Sequence, residues 1–192
     1  MPETTTPMTA DQRRARINEL NSSINTSRSE IRRLESIDFE EQAQELFARI
    51  PEIEEFSWTQ YTPYFNDGDE CVFSVDTDAR RVKFTGGACI RPDEIYIRTN
   101  KWDSTTRTSI DLPISEVQKQ IENYELEDCD TDETIKLVDL PASYDRIREI
   151  SRDISNFLSS YSDSYMKSTF GDHTQVTLNR NTGTSTDEYS HD

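Results

Sequence analysis

Apolar residues recur at alternating spacings of three and four in the first part of the chain, with Ser27 at one step of the series. The apolar members are Ile17, Leu20, Ile24, Ile31 and Leu34. This spacing predicts a helix, which Thr9 or Asp11 could cap. The stripe is narrow and flanked by polar side chains, so one helix cannot bury it alone and needs a partner helix.

A second long helix is predicted after Pro141, with Ser143 as its N-cap. Its apolar positions are Tyr144, Ile147, Ile150, Ile154, Phe157 or Leu158, Tyr161 and Tyr165. We expect the two long helices to pack antiparallel within one molecule. The alternative is that one or both stripes recruit another chain and form a homo-oligomer.

Two shorter helices are also predicted. The first covers 38–50, has Asp38 as its cap and ends at Pro51. Its apolar face consists of Phe39, Ala43, Leu46, Phe47 and Ile50. The second covers 115–126 and buries Val117, Ile121 and either Tyr124 or Leu126.

The remaining segments alternate apolar and polar residues with the period of strands. Candidate strands cover 56–62, 71–75, 82–85, 95–99, 173–180 and a polar edge strand at 184–189, whereas 102–112 is either a strand or a long loop. Asn66-Asp67-Gly68 and Asn181-Thr182-Gly183 have the composition of turns.

These elements predict an α+β fold. We expect an antiparallel sheet or meander of about four to six strands, packed against two long antiparallel helices and two short ones. Residues 1–8 are rich in threonine and proline and are expected to form a disordered tail. Residues 9–192 are expected to form a single α+β domain with an N-terminal helical extension at 9–37.

Composition narrows the function classes. The 192 residues include 21 basic and 38 acidic side chains, a net charge of −17, and only 32% of residues are hydrophobic. This acidity disfavours direct binding to nucleic acid or anionic lipid. No apolar stretch is long enough to cross a bilayer, and the N-terminus lacks the pattern of a classical secretory signal, so no membrane association is expected.

The origin of the acidity stays open. Arginine outnumbers lysine by 16 to 5, and an acidic, lysine-poor surface suits a halophilic source because concentrated salt screens self-repulsion. The alternative is a functional acidic face, as in an inhibitor that imitates the phosphates of DNA.

Two acidic segments are candidate metal sites. In the loop at 66–70, Asp67, Asp69 and Glu70 could hold Ca²⁺ or Mg²⁺, although turns select the same residue types. The second segment echoes a calcium-binding loop but has Glu133 where a glycine is needed. Its candidate ligands are Asp128, Asp130, Asp132 and Asp139. The leading expectation is that no cofactor is bound.

Little in the sequence indicates catalysis. Cys71, Cys89 and Cys129 form no Cys-x-x-Cys pair, and we expect reduced thiols in or near the core. The histidines, His173 and His191, form no local metal motif. There is no nucleophile elbow or phosphate-binding loop either, so no catalytic residue is assigned and an enzyme is not favoured.

Aromatic residues concentrate around the first candidate strand. Trp58, Tyr61 and Tyr64 could anchor the sheet on the helices, which this aromatic-dependent core favours. Alternatively they could form an interaction surface, because tyrosine and tryptophan are enriched in binding hot spots.

One segment carries a resemblance. Trp58-Thr-Gln-Tyr-Thr-Pro-Tyr-Phe-Asn-Asp-Gly-Asp69, continuing through 71–75, resembles a run found in an uncharacterised family of tailed-phage and prokaryotic proteins. Phe170-Gly171-Asp172-His173 and the Tyr-x-His-Asp end at 189–192 are similar to that family as well. The resemblance implies a viral or mobile-element setting, in the host cytoplasm or the virion, and implies no activity.

These expectations favour a non-enzymatic viral or mobile-element protein that acts by protein–protein contact, as a virion component or an accessory factor. Its partner would be another protein or a second copy of the chain. One alternative is a metal-dependent enzyme or small-ligand binder that uses Asp67, Asp69 and Glu70, with His173 as a further group. Another is the acidic DNA mimic.

Overall fold

Residues 8–65, 68 and 70–190 are described by the structure, a computed structural model. Two compact units divide the chain, Met1–Glu41 and Gln42–Asp192. The expected disordered tail at 1–8 lies outside the described residues except for Met8. None of the helices in the described part of the chain is long and apolar enough to cross a bilayer.

The described residues contain four helices and antiparallel sheets, and this confirms the α+β class. The helices are α1 (Ala10–Arg49), α2 (Ile114–Glu122), α3 (Tyr144–Ser159) and α4 (Asp163–Phe170). The strands are β1 (Ile53–Tyr61), β2 (Ser74–Val75), β3 (Arg81–Phe84), β4 (Cys89–Ile90), β5 (Asn100–Asp103), β6 (Thr108–Asp111), β7 (Glu125–Glu127), β8 (Thr134–Lys136), β9 (Thr174–Asn179) and β10 (Gly183–Glu188).

The first unit is the N-terminal part of α1. Thr9 begins the helix as predicted, through a reciprocal cap in which its hydroxyl accepts from the Gln12 N–H (3.3 Å) and the Gln12 side chain accepts from the Thr9 N–H (2.8 Å). Exposed ion pairs join Arg16 to Glu19 and Arg33 to Glu30 one turn apart, and such pairs add a few tenths of a kcal/mol to a helix.

The predicted helix at 38–50 does not begin at Asp38 as a separate element. Residues 10–49 form one helix of 40 residues without a break at Asp38. The predicted apolar face from Phe39 to Ile50 is nevertheless buried. Asp38 can occupy a helix interior because an acidic side chain that stays exposed costs little there.

The expectation that the apolar stripe of α1 is buried is wrong. The five apolar side chains of the stripe are between 45% and 55% exposed. The α3 stripe, in contrast, is buried from Ile147 to Leu158.

In the second unit, β1 is the centre of a six-stranded antiparallel sheet with the order β10-β9-β1-β3-β4, and β2 also pairs with β1. Phe56 and Trp58 lie opposite Leu178 and Val176 on one face of the sheet, all four buried. Phe56 contacts the ring of Phe157 edge-on from α3, with 6.3 Å between ring centroids. The core therefore lies between this face and the helices.

Several element boundaries differ from the predictions. No strand forms at 95–99, where the short turn Pro92–Glu94 is followed by irregular backbone. The segment 102–112 contributes to the hairpin β5–β6, and the helix expected at 115–126 ends at Glu122. A further strand, β8, lies in the second candidate metal segment and pairs with β7.

The long C-terminal helix also breaks where a continuous helix was expected. Ser143 caps α3 as predicted, but α3 ends at Ser159, and a second serine cap, Ser162, starts α4. The polar edge strand near the C-terminus is confirmed as β10, which is exposed along its length.

Candidate functional site

The stripe on α1, here called the α1 seam, consists of Ile17, Leu20, Ile24, Ile31 and Leu34. Four of these five predicted interaction residues are more than 46% exposed, and Leu20 is 45% exposed. Ile37, on the flank of the seam, is 41% exposed. Soluble proteins rarely leave a continuous row of aliphatic side chains open to water unless another surface covers it.

The seam follows a heptad repeat in which residue types sort by position. Ile17, Ile24 and Ile31 take the a position, and Leu20 and Leu34 take the d position, with Ser27 as the polar member of the d series. Apolar residues at the a and d positions of successive heptads form the contact stripe of coiled-coil helices. The geometry of the seam is therefore that of one half of a helix pair.

The two segments on which the family resemblance rests meet in the second unit. Asp172, just after α4, accepts hydrogen bonds from the Thr62 N–H and the Thr62 hydroxyl, both at 2.7 Å. The Lys167 ammonium lies 2.7 Å from the same carboxylate and donates to the Thr62 hydroxyl oxygen at 3.1 Å. These groups, with Gln60, form the cluster called the Asp172 joint.

The backbone and a buried amide fix the joint in place. Gln60 is fully buried and its amide donates to the carbonyl oxygens of Met166 (3.1 Å) and Gly171 (2.6 Å). Gly171 ends α4 with φ 97°, a conformation that L side chains avoid, and a Cβ there would lie 3.1 Å from the Thr174 hydroxyl oxygen. The joint thus ties β1 to the end of α4.

The groups around Asp172 favour its ionised form. Burial works against the charged carboxylate, but Lys167 and the two hydrogen bonds from Thr62 outweigh it and lower the pKa of Asp172 to about 2. A carboxylate held so firmly serves as a structural anchor and not as a general base near neutral pH.

His173 follows the joint but lacks a catalytic arrangement. Its ring stacks on Tyr64 with 4.6 Å between centroids, and its Nε2 lies 3.8 Å from an Asp172 oxygen, too far for a hydrogen bond. Its buried Nδ1 has no hydrogen-bond partner among residues 8–65, 68 and 70–190. With no hydroxyl or thiol bonded to the imidazole among the described residues, no activated nucleophile is formed here.

The three aromatic residues proposed as an interaction cluster separate in the structure. Trp58 is fully buried and contacts Phe170 edge-on at 5.7 Å. Tyr61 is half-buried and packs near Tyr189 at 5.7 Å, whereas Tyr64 is 75% exposed. Trp58 therefore belongs to the core, and Tyr64 is the member available at the surface.

In the second candidate metal segment, the carboxylates of Asp128 and Asp130 contact donor groups of the protein. Asp128 is 4% exposed and accepts main-chain N–H bonds from Cys89 (3.0 Å), Asp130 (2.9 Å) and Thr131 (3.1 Å). The Asp130 carboxylate pairs with Arg81 and with Lys83. This segment is a turn that Asp128 organises, and both carboxylates are occupied by protein donors.

For the first candidate metal loop, Asp67 and Asp69 lie outside the described residues, and Glu70 is exposed. Within 8–65, 68 and 70–190, no three histidine, cysteine, aspartate or glutamate side chains come together in an arrangement that could hold a metal ion. The calcium or magnesium site stays a prediction.

Sequence reasoning missed the groups that neighbour each other only through the fold. Thr62 and Asp172 are 110 positions apart, and Cys89 and Cys129 approach each other across β4 and the turn after β7. No local spacing signals such pairs.

Comparison of the chain with protein-family models, curated proteins and solved structures finds no match in any of the three.

Proposed function

We propose that the protein acts through protein–protein contact, and that the α1 seam pairs with the same seam of a second copy. The observation that carries the proposal is the exposed row of five aliphatic side chains in heptad register. The middle of α1 is rich in serine, asparagine and threonine, which are weak helix formers. Such a helix depends on packing along its apolar stripe.

The order of residues in the seam supports self-pairing in the antiparallel direction. When two copies are aligned so that facing positions add up to 51, Ile17 faces Leu34 of the other copy and Leu20 faces Ile31. The central layers pair Ile24 with Ser27. Every layer then joins an a position to a d position, which is the arrangement of antiparallel helix pairs.

The charges beside the seam favour the same direction. In the antiparallel alignment, Arg14 of one copy and Glu35 of the other both take the e position on the same flank of the pair, two residues from level, and this pair occurs twice by symmetry. In a parallel pair, Glu30 would face Glu35 of the second copy, again twice. Like charges facing each other disfavour the parallel dimer, so charge selects the antiparallel one.

Light scattering on the full-length chain as it elutes from a size-exclusion column tests the association. We expect a mass of twice 22.3 kDa at micromolar concentration. Ile24→Asp should give a monomer because it places a charge at the centre of the seam. Ser22→Asp adds the same charge on the opposite face of the helix and should leave the dimer intact. A wild-type chain that stays monomeric up to about 100 µM, where even a weak specific dimer forms, would contradict the proposal.

The direction of pairing is measured with a spin label on a non-natural side chain at Ala15, an exposed outward position. In the antiparallel dimer, position 15 lies level with position 36 of the other copy. The two labels are then about 30 Å apart along the axis, at 1.5 Å per residue. In a parallel dimer they would lie level with each other, and a short distance would exclude the antiparallel arrangement.

The resemblance to phage and prokaryotic proteins supports a viral or mobile-element setting for this contact. A dimeric virion component and a dimeric accessory factor would use the seam in the same way. Detection of the chain by mass spectrometry in purified particles, or only in infected-cell lysate, distinguishes the two roles.

A further inference from the structure

Cys89 and Cys129 lie side by side although 40 positions separate them in the sequence. The Cys129 N–H donates to the Cys89 carbonyl oxygen at 2.9 Å, and their side chains are within hydrogen-bonding contact. Disulfide formation needs two cysteines whose side chains already lie next to each other. The main-chain bond and the side-chain contact meet that requirement for Cys89 and Cys129.

The surrounding turn holds the two cysteines in this register. One oxygen of Asp128 accepts from the Cys89 N–H at 3.0 Å, and the other oxygen accepts from the N–H of Asp130 at 2.9 Å. Cys129 lies between these two anchor points. A single buried carboxylate thus fixes the backbone of both cysteines, which limits the movement needed to join them.

A third group, Arg81, borders the thiols. Its guanidinium contacts the Cys89 side chain and pairs with Asp130, while its buried Nε has no hydrogen-bond partner in the described part of the chain. Cys89 is fully buried and Cys129 is half-buried, so reagents from solvent reach Cys129 first.

We propose that Cys89 and Cys129 are a reversible disulfide site that reacts with small-molecule disulfides. The Cys129 thiolate attacks one sulfur of the small disulfide and releases one thiolate, which leaves a mixed disulfide on Cys129. Cys89 then loses its proton and attacks the Cys129 sulfur, and the second small thiolate leaves. Two electrons pass from the cysteine pair to the reagent, and two protons end on the released thiols.

The environment sets the rate of this reaction. Burial, followed by the neighbouring Cys89 thiol, raises the pKa of Cys129 to about 12. Because the thiolate is the attacking form, oxidation is slow at neutral pH and its rate rises about tenfold per pH unit while Cys129 remains mostly protonated. The reduced pair therefore persists in a reducing cytoplasm, and the cross-link forms under sustained oxidation.

The experiment exposes the folded full-length chain to glutathione disulfide at pH 8.5, blocks remaining thiols with iodoacetamide, and maps peptides by mass spectrometry. We expect a Cys89–Cys129 linked peptide that is lighter by two hydrogen atoms, with Cys71 alkylated. The chain treated in the same way should melt about 10 °C higher than the reduced chain, because the bond closes a long loop in the unfolded state. Dithiothreitol should reverse both changes.

Matched variants separate this pair from random oxidation. Cys71→Ser should give the same linked peptide, and Cys129→Ser should give none and no rise in melting temperature on oxidation. Linked peptides that contain Cys71, a cross-link between two chains, or glutathione retained on Cys129 as the end product would each overturn the proposal. The wild-type peptide map alone decides the question if Cys129→Ser fails to fold.

Discussion

Two helices of this chain carry apolar stripes of similar spacing, and the stripes have different surroundings. On α3, Ile147, Ile150 and Ile154 are each 2% exposed or less. On α1, Ile17, Ile24 and Ile31 are 47–55% exposed. The same residue type, in stripes of similar helical periodicity, is core in one region and surface in the other.

The difference lies in what surrounds each stripe. The α3 stripe is wide, because Phe157 and Leu158 extend it on both sides, and aromatic rings from the sheet meet it. The α1 seam is only two positions per heptad wide and is bordered by arginine, serine and asparagine. A wide stripe suits packing on a sheet, whereas a two-position seam suits a second helix of the same kind.

The largest expected effect comes from truncating equivalent residues on the two helices. Ile154→Ala should lower the free energy of unfolding of the second unit by about 3 kcal/mol, because it leaves a cavity in a packed core. Ile24→Ala should change that unfolding transition by less than about 0.5 kcal/mol and should weaken dimerization instead. Urea titrations followed by tryptophan fluorescence measure both, since Trp58 is buried in the second unit. Equal destabilisation of the second unit by both variants would show that both stripes belong to its packed core.

A second expected effect concerns the polar member of the seam. Ser27→Leu should tighten dimerization by about 100-fold, because each copy buries one additional leucine against Ile24 of the other. Sedimentation equilibrium across a dilution series measures the change in dissociation constant.

The control for this variant is Ser22→Leu, which makes the same change on the outer face and should leave the dissociation constant unchanged. If both variants tighten association equally, the added leucine acts through non-specific hydrophobic association, and the dimer does not depend on the heptad positions.

These contrasts also indicate how far sequence could reach. Periodicity located α3, β9 and β10 because each has a local pattern of apolar or turn residues. Periodicity could not predict which surface covers the α1 seam. An apolar stripe indicates that a helix face should be buried but does not identify what buries it. The break between α3 and α4 was missed because Tyr161 and Tyr165 continue the apolar spacing across it.

The same limit applies to the candidate sites. The Asp172 joint and the cysteine pair are formed by residues that are far apart in sequence and meet only in the fold, and nothing near either residue in sequence signals its partner. Asp128 resembled a metal ligand by spacing alone, while the structure shows it accepting three main-chain N–H groups.

Lowering the pH should reduce the free energy of unfolding of the second unit by a smaller amount. The aliphatic contacts of the α1 seam contain no titratable group and should not respond. The folded pKa of Asp172 is about 2, lowered from 3.8, so its stabilising contribution is complete above about pH 4 and is lost as the pH falls toward 2. Asp172→Asn should lower unfolding free energy at pH 7 by about 1–2 kcal/mol, allowing for partial exposure of the group.

Thermal unfolding of the wild type and Asp172→Asn across pH 2–7 measures this contribution. The difference between the two proteins should be constant from pH 7 to about pH 5 and should shrink below about pH 4. A difference that is unchanged at pH 2 would mean that the Asp172 charge does not stabilise the joint.

The smallest expected effect tests the direction of pairing through the charges beside the seam. Arg14→Glu should weaken the antiparallel dimer about fivefold, because both symmetric pairs with Glu35 become repulsive and each exposed pair contributes only a few tenths of a kcal/mol. Combining Arg14→Glu with Glu35→Arg should restore the affinity of the wild type. In a parallel dimer Arg14 does not face Glu35, and Glu35→Arg alone would relieve the clash with Glu30 and tighten association. The sign of the Glu35→Arg effect, measured by sedimentation at low salt, therefore separates the two arrangements, and high salt should shrink it in either case.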